Sequence, residues 1–152
     1  MKINTKPYGE IEVSEKQKIH FPDGLFGFEQ MRDYFLLDSR EGPFYWLQAA
    51  DQPELAFILI NPRLFKEDYQ LSVSEEDFKS IGAREGKDVI DFAIVTVPED
   101  AQKISANLMG PIIINRKTRK ARQAISVNNE YSVKHFIVEE MKVKKEDLVE
   151  TA

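Results

Sequence analysis

The side chains that could do chemistry in this chain are scattered. His20 and His135 lie far apart, with no second histidine or cysteine beside either to close a metal site, so each reads as a strand histidine satisfied locally. The serines at 14, 39, 72, 74, 80, 105, 126 and 132 sit in ordinary turn or strand contexts, and no G-x-S-x-G elbow sharpens one into a nucleophile. Gly82 and Gly86 bracket Ala83, Arg84 and Glu85 without the Lys-Ser/Thr that completes a phosphate loop. Gly24 and Gly27 lack the strand-to-helix setting of a dinucleotide site. Glu75, Glu76, Asp77, Glu139 and Glu140 read as solvated faces or a helix start. A small enzyme with an unrecognised acidic site stays open as a rival reading, and its sign would be a deep cleft holding carboxylates of perturbed pKa.

A third reading is a direct RNA binder acting through Arg116 to Arg122, where Arg116, Lys117, Arg119, Lys120 and Arg122 fall within seven residues. In a hairpin these charges would spread over a turn tip and the outer face of a strand. No aromatic for base stacking lies between Arg116 and Val127, and the formal charge of −5 repels phosphates, which together predict no direct nucleic-acid binding. The less ordinary feature is the string FPDGLFGFE at Phe21 to Glu29. Its glycines permit tight turns, and Leu25, Phe26 and Phe28 must each be buried beneath the loop or stand out as a contact patch. An exposed Phe26, with Glu29 beside it, is where a partner would dock.

These features need a scaffold, and the pattern around them is mainly β. Ile11 and Val13, then Ile19 and Phe21, alternate as half-buried strands after a Pro7-Tyr8-Gly9 turn. Strands are expected at Tyr34 to Leu37, Phe44 to Ala50, Leu55 to Asn61, Val89 to Val97, Pro111 to Asn115 and Ala121 to Val127, the last two forming a hairpin. Phe57 to Ile60 and the IIIN after Pro111 lack a polar alternate face, so they should be central and covered on both sides. Ser74 should cap a two-turn helix with Glu75, Glu76 and Asp77 in its first turn, Phe78 and Ile81 on one face, and Gly82 as its stop. Short strands at about ten-residue spacing predict a single-domain antiparallel β-barrel-like fold with a few short helices over 1–138, followed by a charged, flexible tail over 139–152.

The 152 residues, 42% hydrophobic and 31% charged, suit one globular core. Without cysteine the chain has no disulfide, thiolate metal site or cysteine nucleophile. With no signal-peptide pattern and no apolar run near the ~20 residues of a membrane span, the expectation is a cytoplasmic protein without membrane contact.

Taken in order, FPDGLFGFE, LQAADQPELAFILINP at Leu47 to Pro62, NLMGPIIIN at Asn107 to Asn115, RQAISV at Arg122 to Val127 and YSVKH at Tyr131 to His135 resemble the FliW family of flagellar assembly factors. The resemblance runs from about Ile3 to about Phe136, and it implies a β-barrel-like fold, no catalysis and no cofactor. It further implies a chaperone-like partner switch: such proteins bind flagellin, and once export has removed flagellin they bind the translational repressor CsrA, away from its RNA-binding surface, and relieve repression of flagellin mRNA. Two patches are expected to make the contacts, one of Leu25, Phe26, Phe28 and Glu29, the other of Asn107, Asn115, Arg119 and Gln123.

Overall fold

The computed structural model describes residues 1–40 and 42–141. An N-terminal hairpin, β1 (Lys2–Thr5) and β2 (Gly9–Glu12), precedes the main sheet. That sheet takes β3 (Lys18–His20), β4 (Asp33–Asp38), β5 (Tyr45–Ala49), β6 (Ala56–Ile60), β7 (Val89–Thr96) and β8 (Ser105–Asn115) as successive antiparallel neighbours. The far edge of β8 is divided between β9 (Ala121–Gln123) at its C-terminal end and β10 (His135–Phe136) at its start. The sheet nearly closes on itself. His20 on β3 donates its N–H to the Arg119 carbonyl at 3.1 Å and forms a single parallel bridge with Lys120, just ahead of β9.

Closure explains the apolar runs. Leu59, Ile112 and Ile114 point into the barrel with Ile19, Phe21, Tyr34 and Leu47. Ile60 faces outward beneath Phe65 and Tyr69, and Ile113 beneath Ile81 and Ala83, so both strands are covered on each side, as the missing polar face requires. The N-terminal hairpin seals a further outer face, packing Ile3 and Val13 on Phe35 and Leu37. Gln48, fully buried, binds these layers. Its Oε1 accepts the Lys6 N–H at 2.8 Å, while its Nε2 faces the carbonyls of Ala49, Gln52, Pro53 and Leu55.

Helix α1 (Glu75–Ser80) forms where the cap predicts it: Ser74 Oγ accepts the Asp77 N–H at 3.2 Å, and Gly82 ends the turn at φ +73. Residues 137–141 form α2, the last described element. Of the tail expected over 139–152, residues 139–141 therefore belong to a helix, Glu140 reaching His135 at 3.2 Å, and the remainder lies outside the described residues.

Two of the expected strands differ in extent. β8 begins at Ser105 rather than Pro111, because the Gly110-Pro111 pair bends the strand without ending it. Phe92 pairs with Ile112 and Ile94 with Asn107, so four residues of β8 pass a single residue of β7. Asn107 Oδ1 accepts the N–H groups of Met109 and Gly110 at 3.0 and 2.9 Å, and it replaces the interrupted ladder. β9 ends at Gln123. Beyond it the chain stays extended but ties its N–H groups to β8 and to the Ser72 carbonyl.

Inside the barrel the Tyr34 hydroxyl is buried with no hydrogen-bond partner, and burial pushes its pKa from 10.0 up to about 12. An unpaired hydroxyl costs about 1–3 kcal/mol of desolvation, so Tyr34→Phe is expected to be neutral or stabilising by up to about 1 kcal/mol in urea titration at pH 7. The raised pKa also fixes the sign at high pH. The folded chain holds this proton more tightly than the unfolded chain, so the group's contribution is complete below pH 10 and is lost as pH rises toward 12. Tyr34→Phe should therefore shallow the alkaline limb of the stability curve, and an unchanged limb would locate the titration elsewhere.

Candidate functional site

The loop at 21–29 fills the seam between β3 and β9. Phe21 and Leu25 enter the barrel core, at 0% and 1% exposure, and Gly24, at φ +67, lets the chain double back so that the Phe28 N–H meets the Leu25 carbonyl at 2.8 Å. A Cβ on Gly24 would lie 2.5 Å from the Glu29 Cα, so the turn has room for glycine alone. Phe28 packs edge-on against Phe57 with ring centroids 5.1 Å apart, and it remains 41% exposed. Glu29 folds back to accept the Gly27 N–H at 3.1 Å. Phe26 is left at the apex, 54% exposed.

The structure joins the two expected patches through Gln123. Its Oε1 accepts the Phe26 N–H at 3.0 Å, and its Nε2 donates to the Gly110 carbonyl at 3.1 Å. A Cβ at Gly110 would fall 2.8 Å from that Nε2, so the bend of β8 and the seat of the loop depend on the same close approach. Arg122 holds the loop from the other side, with Nε 3.0 Å from Asp77 on α1 and Nη1 3.4 Å from Asp23. The last cation of the basic stretch is thus committed to ion pairs within the chain.

Burial separates the members of the two patches. Leu25 is a core anchor of the loop and presents no surface. Asn115, 6% exposed, spends its side chain on the hairpin tip, donating to the Ile81 carbonyl at 2.8 Å and accepting from Lys117 and Thr118 N–H at 2.9 and 3.2 Å. Gln123 is equally buried and acts as the link just described. Asn107 is half-buried and engaged with the β8 bend. Arg119, also half-buried, stands at the far end of the hairpin at φ +64, where its carbonyl closes the barrel. Phe26, Phe28 and Glu29 keep exposed surface.

Sequence reasoning passed over the apolar side chains that extend this surface. Ser126 N–H bonds the Met109 carbonyl at 2.7 Å, and the Met109 N–H bonds the Ser132 carbonyl at 3.1 Å, placing Ile125, Val127 and Val133 alongside Met109. All four are large, apolar and exposed, Ile125 at 59%, and the Phe26 N–H is tied to Gln123, two residues before Ile125. The signal was available in the largely apolar character of LMGP and AISV, but only the bend of β8 decides which of those residues face outward. Exposed apolar side chains grouped in this way are the kind of surface at which proteins make contacts.

Among the described residues no group of three or more His, Asp or Glu side chains converges as a metal site. His20 Nδ1 pairs with Asp33 at 2.8 Å, and His135 Nε2 accepts the Ser132 N–H at 2.9 Å. No helix among the described residues is long and apolar enough to cross a membrane.

The profile of the FliW protein family matches residues 2–137. A flagellar assembly factor FliW of Treponema denticola is 45% identical over 141 residues, spanning 93% of this chain and 96% of that one. Its counterpart in Leptospira biflexa is 46% identical, over 91% and 92% of the two chains. A crystal structure of the flagellar assembly factor FliW superposes with a TM-score of 0.83 at 34% identity, covering 90% of this chain and 96% of that one.

Proposed function

Since the chain belongs to the FliW family of flagellar assembly factors, we propose that it acts by holding protein partners in turn: flagellin first and, when flagellin has been exported, the translational repressor CsrA, whose hold on flagellin mRNA it then relieves. The observation that carries this reading is the exposed Phe26 at the apex of a loop pinned from below by Leu25 and from the side by Gln123, next to the apolar band of Met109, Ile125 and Val127. A pre-ordered apolar surface binds without a large ordering cost, which suits reversible exchange of partners. Phe28 and Glu29 flank it. The formal charge of −5 supports antagonism of RNA binding by electrostatic exclusion, since an acidic body docked beside the RNA path lowers the local attraction for phosphates. The protein is accordingly read as a cytoplasmic regulator without catalytic turnover.

Calorimetric titration with purified CsrA, repeated after saturation with flagellin, tests the exchange. Micromolar or tighter binding, abolished by flagellin, is expected. Absence of heat with either folded partner would end this reading.

A further inference from the structure

At the end of the β8–β9 hairpin away from Phe26, two sequence-distant segments converge on a cleft of about 650 Å³ lined by Gly82, Arg84, Glu85, Lys87, Asp88, Asn115, Arg116 and Lys117. The walls are pinned to each other. The Arg116 N–H bonds the Asp88 carbonyl at 3.0 Å, Arg116 Nε bonds the Lys87 carbonyl at 3.1 Å, and Asn115 Nδ2 bonds the Ile81 carbonyl at 2.8 Å. Four cations face two carboxylates, and both carboxylates are engaged: Glu85 with Lys87 at 3.1 Å, Asp88 with the N–H groups of Arg84 and Glu85 at 3.0 and 3.2 Å. Among the described residues the Arg84 and Lys117 side chains make no ion pair within 4 Å, and the outer nitrogens of Arg116 are uncommitted. In a chain of net charge −5, this is a local surplus of two positive charges on a preformed concave surface.

We propose that this cleft is a binding site for a small phosphorylated molecule, with Arg84 and Arg116 gripping phosphate oxygens and Lys117 completing the charge balance. Two guanidinium groups supply the forked donors that phosphate accepts best, and a dianion matches the surplus of two. The volume falls within the ~300–1,000 Å³ typical of small-ligand sites. No aromatic side chain lines the cleft, which disfavours single-stranded RNA, whose bases need stacking surfaces. The site lies apart from the Phe26 surface and stands independently of the partner exchange.

The test is a titration of the full chain with inorganic phosphate at pH 8, where it is mainly the dianion, followed by the amide resonances of residues 82–88 and 115–118 in ¹⁵N-labelled protein. Arg84→Gln combined with Lys117→Gln alters exposed side chains without internal ion pairs, so its fold should persist, and matching far-UV circular dichroism checks this. Saturable shifts confined to those residues, with affinity reduced about tenfold or more in the double variant, are expected. Sodium chloride reproducing the shifts at equal ionic strength, or a double variant that binds as tightly as the parent, would overturn the proposal. Tighter binding of a short RNA at the same amides would overturn it in favour of a nucleic-acid site.

Discussion

Gly24→Ala is expected to destabilise the protein by about 3 kcal/mol or more, the largest effect of any single-methyl substitution in the loop. Two costs add at this position. A left-handed backbone is roughly 1–2 kcal/mol worse for alanine than for glycine. The new Cβ would also lie 2.5 Å from the Glu29 Cα and 2.7 Å from the Phe28 carbonyl oxygen, both backbone atoms that cannot rotate away. Relief requires the 24–29 turn to open, and opening it withdraws Leu25 from the core and strains the Phe26–Gln123 bond. Overpacking of this sort costs about 1–3 kcal/mol more. Thermal unfolding should fall by roughly 6–12 °C for a chain of this size. Gly27→Ala is the control: it has a similar φ of +86 but nothing within 4 Å of its Cβ, so only the backbone term applies and the loss should be about 1–2 kcal/mol. Equal losses at the two glycines would show that close packing at Gly24 contributes nothing.

The contrast between these glycines also shows how far the sequence could be read. Alternation and β-branched content located β4 to β7 to within a residue or so, since each strand has one face in the barrel and carries that period in its own residues. The helix was legible because a cap is a local device, complete within Ser74 to Gly82. Three things were not local. β1 buries only Ile3 and Thr5 and has no signal apart from the Phe35 and Leu37 surface it covers. The start of β8 was hidden because Gly110 and Pro111 look like a break, and only the partner strand and Asn107 show them to be a bend. The first patch named Leu25 and the second Asn115 and Gln123 by residue type, but type does not say whether a side chain turns into the core or whether a polar group is already satisfied. The partners of the two polar side chains lie far along the chain, 97 residues away for Gln123 and 34 for Asn115. The ion pairs of Arg122 were hidden for the same reason, because Asp77 and Asp23 reach it only in the fold.

Phe26→Ala is expected to weaken partner binding by about 2 kcal/mol, roughly thirtyfold in Kd, while leaving the fold intact. The two outcomes separate because the loop is held by Phe26's backbone N–H and not by its ring: Gln123 keeps its acceptor role, Leu25 stays in the core, and the exposed ring leaves no cavity. Stability should change by less than about 0.5 kcal/mol. Leu25→Ala should behave in the opposite way, costing about 2–5 kcal/mol of stability through the cavity it creates and weakening binding only by loosening the loop. Ile125→Ala adds a further check, because a continuous apolar contact with Phe26 predicts that the double variant loses more than Phe26→Ala alone. If flagellin and CsrA both bind the folded Phe26→Ala protein as tightly as the parent, the surface around Phe26 is not the contact surface. If only one partner is weakened, the two occupy different faces, and flagellin must displace CsrA through the conformation or field of the barrel, because direct overlap at Phe26 would have weakened both.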